Sequence, residues 1–197
     1  MFYKIARALA SVLTKFLFFL SAKGTENVPK TGGAVLCANH RSAWDPIFIA
    51  VILRRPLAFI AKEELFKNKL LGFAMRHLNC YPVRRDGGDL AVVKTAIRLL
   101  RQGELLVIFP EGQRVKKGMK PSAKSGAFRL AAMTGVPIVP IGIRGDIRPF
   151  HKVRLLVDAQ KDMSVYKGER LSEDTYTDGT KTLMQKIYSL AETEHML

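Results

Sequence analysis

Between Asn39 and Pro46 the chain reads NHRSAWDP, with a histidine and an aspartate five positions apart and a serine between them. A carboxylate bonded to one ring nitrogen of a histidine fixes the tautomer and leaves the other nitrogen as a base. His40 and Asp45 can meet in this way if the chain bends after the apolar run GAVLCA, which reads as a strand ending just before them. Asp45 and Pro46 also read as a helix start, with Asp at the N-cap and Pro at the first helical position. Ser42 lies two residues from His40 and outside any GxSxG elbow, so covalent catalysis is the weaker option. A base without an enzyme nucleophile suits a substrate that brings its own hydroxyl to an already activated acyl group, such as a thioester.

Three further polar clusters follow apolar runs. Lys62 follows LAFIA, Arg84 and Arg85 open RRDGGD after CYPV, and Glu111, Gly112 and Arg114 stand in EGQR after LLVIFP. In open α/β sheets the ligand crevice lies outside the carboxyl ends of the strands, so these clusters converge on one face. A guanidinium binds phosphate with two parallel hydrogen bonds, and the surplus of Arg and Lys points to a phosphorylated hydroxyl substrate. Across the 197 residues, 32 Lys and Arg oppose 17 Asp and Glu, a formal charge of +15 that favours an anionic partner.

Alternating runs position these clusters. GGAVLCA, LAFIA, CYPV, ELLVIF, IVPIGI and VRLLV read as strands, and PIFIAVIL, LLGFAMRHL, the segment from Asp89 to Gly103, AFRLAAMT and the segment after Asp178 read as helices. The alternation predicts an α/β fold, a single domain with a mostly parallel central sheet flanked by helices. An N-terminal amphipathic helix precedes it, with Phe2, Ile5, Leu9, Val12, Leu13, Phe16 and Leu20 on one side and Lys4, Arg7, Ser11 and Lys15 opposite. Lys15 interrupts the run well short of the roughly 18 apolar residues that span a bilayer, so residues 1–23 are expected to lie in the membrane interface and residues 24–197 to form the domain. Packing of the same helix into the core is the alternative. Cys37 and Cys80 read as free buried thiols, and the four histidines lack a metal-ligating spacing.

NHRSAWD resembles the N-H-x-S-x-x-D block of the glycerolipid acyltransferase superfamily, and FPEGQR resembles its F-P-E-G-T-R block. CYPVRRDGGD is similar to the arginine-bearing second block and VPIVPIGIRG to the proline-bearing fourth, so the resemblance runs from Gly24 to Gly145 in the expected order. With the short length it points to the bacterial members that acylate 1-acylglycerol 3-phosphate to phosphatidate in phospholipid biosynthesis. It implies that His40 is the general base and Asp45 its orienting partner. It further implies that Arg85, with Arg84 beside it, binds the acceptor phosphate, that Glu111, Gly112 and Arg114 shape the acceptor site, and that Lys62 and Pro140 belong to the substrate region. Gln113 and Val115 replace a usual Thr and Ser, and Asn79 stands for a common glycine, a position where Asn tolerates the left-handed conformation. The implied partners are a membrane lipid acceptor, an anionic membrane surface at the cytoplasmic face, and an acyl thioester, either acyl-CoA or acyl carrier protein, with no cofactor. A sister acyltransferase using glycerol 3-phosphate or another lysolipid remains open. So does a basic nucleic-acid-binding protein, although the basic residues are spread along the chain and no recognition motif is present.

Overall fold

A computed structural model of the chain describes residues 2–83, 89–115 and 122–192. Seven strands form one sheet in the order β1-β7-β6-β2-β5-β3-β4, where β1 is Ser21–Lys23, β2 Ala34–Ala38, β3 Leu57–Lys62, β4 Cys80–Val83, β5 Leu105–Ile108, β6 Ile138–Gly145 and β7 Val153–Val157. Among the strands of the described residues, β6 and β7 pair antiparallel and the other five pairings are parallel. The expected fold class is therefore the observed one.

The chain's apolar runs explain the layering. In β2 every residue is buried, because helices cover both faces of the sheet. Ala34, Leu36 and Ala38 face one cluster with Phe48 and Ile49 of α2 (Asp45–Ile52) and Phe18 of α1 (Phe2–Phe18). Val35 and Cys37 face the other, with Leu99 of α4 (Asp89–Arg101), Phe128 of α5 (Gly126–Thr134) and Ile187 of α6 (Glu173–Glu192). α3 (Lys69–His77) lies at the β4 edge.

Local chemistry sets several boundaries. Asn79 takes φ 56° before β4, the left-handed turn its side chain tolerates. Gly142 of β6 has no Cβ because one would come within 2.4 Å of Leu190 Cβ, and this close approach seats α6 on the strand. The closing helix begins at Glu173, before the expected Asp178, since Gly179 is accommodated against the Phe128 ring instead of ending it. Cys37 is buried as expected. Cys80 is only half-buried, and burial still pushes its thiol up to about 11.

α1 has the expected amphipathic pattern, and its apolar side from Phe2 to Phe16 faces outward, whereas Leu20, expected on that side, lies past the end of the helix and is buried in the core. Leu9, Val12 and Phe16 are each about 70% exposed, at 68%, 71% and 68%. The protein side of the helix carries Tyr3, whose hydroxyl accepts from Leu57 N, Arg7, whose Nη1 donates to Arg54 O, and the buried Thr14 and Phe18. Phe18 joins the core with Ala10 and Leu17 against it, while Leu9, Val12 and Phe16 stay outside. Among the described residues no helix is long and apolar enough to cross a membrane.

Candidate active site

The site begins where β2 ends. Asn39 is 1% exposed, and its amide makes two bonds to one residue of the neighbouring strand: Nδ2 donates to Ile143 O at 2.9 Å and Oδ1 accepts from Ile143 N at 2.7 Å. This side chain continues the β2–β6 ladder one step past the last backbone pair, so the next residue leaves the sheet at a fixed point. That residue is His40.

His40 Nδ1 lies 2.9 Å from Asp45 Oδ2. The same oxygen accepts from Arg41 N at 2.6 Å and Ser42 N at 2.7 Å, so one carboxylate oxygen gathers the ring and two loop amides. Asp45 is fully buried, and its Oδ1 has no hydrogen-bond partner among the described residues. The expected N-cap role of Asp45 does not hold. Trp44 occupies the cap position without a side-chain cap bond, and Asp45 is the first residue of α2 with its carboxylate turned back to the preceding loop. Three donors there outweigh the one or two amides that a capping carboxylate would bind. Pro46 does stand in the first helical turn, where its missing N–H costs nothing.

The ring is fixed on its other sides too. It stacks on Phe109 with centroids 4.1 Å apart and planes 20° from parallel. With Nδ1–H donating to Asp45, the lone pair is on Nε2, and the His40 side chain is 18% exposed. The arrangement can take a proton from a hydroxyl presented to that nitrogen.

Glu111 lies behind the loop. It is 1% exposed, Oε2 accepts from His40 N at 2.6 Å, and Oε1 accepts from the hydroxyl of Tyr188 on α6. Burial raises its carboxyl above the ordinary range, opposed by the bonds from Tyr188 and His40 N. Burial and the Glu111 contact likewise push the Tyr188 hydroxyl up. Gly112 turns the chain at φ 71°, and a Cβ there would come within 3.0 Å of the Lys124 side chain. Val115 N donates to His40 O at 2.8 Å, tying the two loops together.

The remaining expected residues are placed as follows. Lys62 ends β3 on the same sheet edge with its side chain exposed, and Arg114 is exposed on the loop after β5. Pro140 lies within β6, paired with Cys37. Arg84 and Arg85 lie outside the described residues. Sequence reasoning missed Asn39 and Tyr188 as site residues. The first was visible as a polar residue closing an apolar run; the second stands 77 positions from Glu111 with no local pattern to mark it. Among the described residues no group of three or more His, Cys, Asp and Glu side chains is gathered to hold a metal ion.

Fold and site together place a carboxylate-bonded histidine at a strand exit of a mostly parallel α/β sheet. A sequence profile of the Acyltransferase family matches residues 20–144. The 1-acyl-sn-glycerol-3-phosphate acyltransferase of Bacillus subtilis is 32% identical over 144 residues, covering 73% of this chain and 71% of that protein. The chloroplastic enzyme of the same description from Arabidopsis thaliana is 35% identical over 72% of this chain, and the match takes in 40% of its own length. In the crystal structure of the 1-acyl-sn-glycerophosphate acyltransferase PlsC from Thermotoga maritima, the fold superposes with a TM-score of 0.74 and 28% identity, over 99% of this chain and 83% of that one. The chain belongs to the Acyltransferase family, and it is an O-acyltransferase. The resemblance carried by NHRSAWD and FPEGQR is borne out by these matches.

Proposed function

We propose that the protein transfers an acyl chain from a thioester to the sn-2 hydroxyl of 1-acylglycerol 3-phosphate, forming phosphatidate by direct general-base catalysis. The observation that carries this reading is the His40–Asp45 pair, with Nδ1 bonded to a buried carboxylate and Nε2 left as the base. His40 Nε2 takes the hydroxyl proton as the oxygen attacks the thioester carbonyl. The tetrahedral adduct collapses with cleavage of the carbon–sulfur bond, and the departing thiolate takes a proton. Asp45 stabilises the imidazolium formed in between. Arg85, with Arg84 beside it, is assigned the acceptor phosphate on the motif resemblance, with Arg114 and Lys62 on the same sheet edge.

The acceptor is a lipid, and an inverted amphipathic helix supports a membrane-bound enzyme. α1 turns its small and polar side to the protein and leaves Leu9, Val12 and Phe16 in solvent, an arrangement that is unfavourable in water and favourable against lipid. Phe2 meets Phe73 of α3, whose Leu70 is 81% exposed, and Phe16 meets the exposed Phe150, so the apolar surface extends beyond the helix. With a formal charge of +15, the protein suits the anionic, cytoplasmic face of a membrane.

The test is product formation from acyl-CoA and from acyl carrier protein with 1-acylglycerol 3-phosphate in mixed micelles, followed by mass spectrometry. Phosphatidate is expected, and no product with this acceptor, alongside turnover of glycerol 3-phosphate or another lysolipid, would defeat the assignment. For the membrane part, Leu9→Asp with Phe16→Asp should abolish binding to anionic vesicles without changing the thermal midpoint. Deleting the helix is a poorer test, because Phe18 belongs to the core.

A further inference from the structure

His40 stands at the end of β2, and the sheet runs from it in two directions. On one side lie β5, β3 and β4, and the sequence leaving β4 carries Arg84 and Arg85. On the other lie β6 and β7, and beside their shared end opens a groove of about 1270 Å³. Arg41 and Ser42 of the catalytic loop form one wall, and Tyr188 of α6 also lines it. Arg144, Lys152 and Arg154 line the rest, against the carboxylates of Asp146 and Glu192.

The electrostatics of this groove are unusual for a sheet edge. Arg144 and Arg154 are register partners in the antiparallel β6–β7 pair, so two guanidinium groups project from directly opposite positions on one face. Like charges so placed repel and weaken a sheet. Among the described residues none of Arg41, Arg144, Lys152 and Arg154 is in an ion pair, and Asp146 is engaged by Arg148 instead. An anion lying between the two arginines would turn the repulsion into bidentate binding. A single phosphate needs one or two such groups, whereas four cations along an open groove fit an extended ligand with several phosphate or phosphodiester charges.

Direct transfer needs two substrates on either side of the base, and both substrates of the reaction proposed above carry phosphate. β7 lies two strand spacings from β2, about 10 Å, and β4 lies three spacings away on the opposite side, about 14 Å. We propose that the groove of Arg41, Arg144, Lys152 and Arg154 binds the phosphate groups of the thioester donor's phosphopantetheine carrier, leaving the far side of His40 to the acceptor. This inference rests on the reading of the protein as a thioester-dependent acyltransferase. The phosphopantetheine phosphate is common to acyl-CoA and acyl carrier protein, so the groove takes either donor, but only coenzyme A carries the several phosphates that engage all four cations, and loss of the arginines should weigh more on acyl-CoA.

The experiment compares wild type with Arg144→Gln/Arg154→Gln and with Lys152→Gln alone. The donor KM is measured with acyl-CoA and with acyl carrier protein, the acceptor KM with 1-acylglycerol 3-phosphate, and coenzyme A binding by titration calorimetry. The double variant should raise the donor KM and weaken coenzyme A roughly tenfold or more, as loss of charge-assisted hydrogen bonds does, with the acceptor KM within about twofold of wild type. Its thermal midpoint without ligand should equal or exceed that of wild type, because the arginine repulsion is gone. Lys152→Gln, at an exposed site, should move the donor KM in the same direction by less. A shift in the acceptor KM instead would mark the groove as the lysolipid headgroup site and overturn the proposal. So would an unchanged donor KM with both donors, or a lowered midpoint with both KM values raised together, the signature of a structural role. A wild type that binds coenzyme A in the groove and yet forms no phosphatidate would defeat the assigned reaction while leaving the groove's assignment standing.

Discussion

Asp45 and Glu111 are both buried carboxylates that bond to His40, yet Asp45 holds its ring and Glu111 its backbone. Asp45 draws every one of its donors from residues 40 to 42, five positions or fewer away. Glu111 draws one from the β2 loop and one from α6, 71 and 77 positions away. The first is a local device carried whole by one motif. The second is a tertiary brace that exists only once β2, β5 and α6 are assembled. On the proposed mechanism Asp45 should therefore govern the reactivity of the His40 ring, and Glu111 the place where it stands.

Substitutions can break this division or sharpen it. The largest effect is expected from His40→Ala, which removes the proposed base and should lower turnover by about 10²–10⁴-fold while the protein stays folded, as checked by circular dichroism. Asp45→Asn comes next. It retains an oxygen for the amides of Arg41 and Ser42 and for the ring Nδ1–H, but it loses the charge that stabilises the imidazolium, so turnover should fall by roughly 10²-fold or more with a smaller change in KM. Glu111→Gln should cost less turnover than Asp45→Asn, and equal losses would show that the two carboxylates do not divide the work. Tyr188→Phe leaves Glu111 with one fewer bond and should cost about 1 kcal/mol of stability, measured by denaturant unfolding.

The pH dependence of stability separates the carboxylates further. Burial raises the Glu111 carboxyl above the ordinary 4.5, so the folded state keeps that proton to higher pH than the unfolded chain does. Its stabilising contribution is full below about 4.5 and is lost as pH rises through the folded value. Glu111→Gln cannot titrate, so the stability of wild type relative to this variant should fall as pH rises across the mildly acidic range. A rising difference would mean that the bonds from Tyr188 and His40 N outweigh burial.

The same contrast explains what could be read from the sequence. The α/β alternation, the placement of His40 at a strand exit and its five-residue spacing to Asp45 are local patterns, and they survive folding unchanged. The N-cap expectation for Asp45 failed because capping rules count the amides ahead of a residue, whereas three donors lay behind it. For α1 the sequence displayed two faces but not which one meets the protein; Tyr3, Arg7 and Thr14 reveal that only through partners elsewhere in the chain and in the helix's own backbone. Tyr188 and the facing pair Arg144 and Arg154 depend on pairing across the sheet and on the final helix, and no short window contains both members of either contact.

Asn39 carries a consequence for the chemical ageing of the protein. An asparagine deamidates when the backbone nitrogen of the following residue swings round to attack its side-chain amide carbon and closes a five-membered succinimide ring. Here that nitrogen belongs to His40 and is held on Glu111, while the Asn39 amide is clamped at both ends on Ile143. Nucleophile and target are each restrained by bonds that would have to break first. The fixation of the loop after β2 thus also protects its first residue from conversion to aspartate, a change that would set a carboxylate oxygen against the Ile143 carbonyl. In an old preparation, Asn39 should still be intact in the folded fraction after exposed asparagines have turned over.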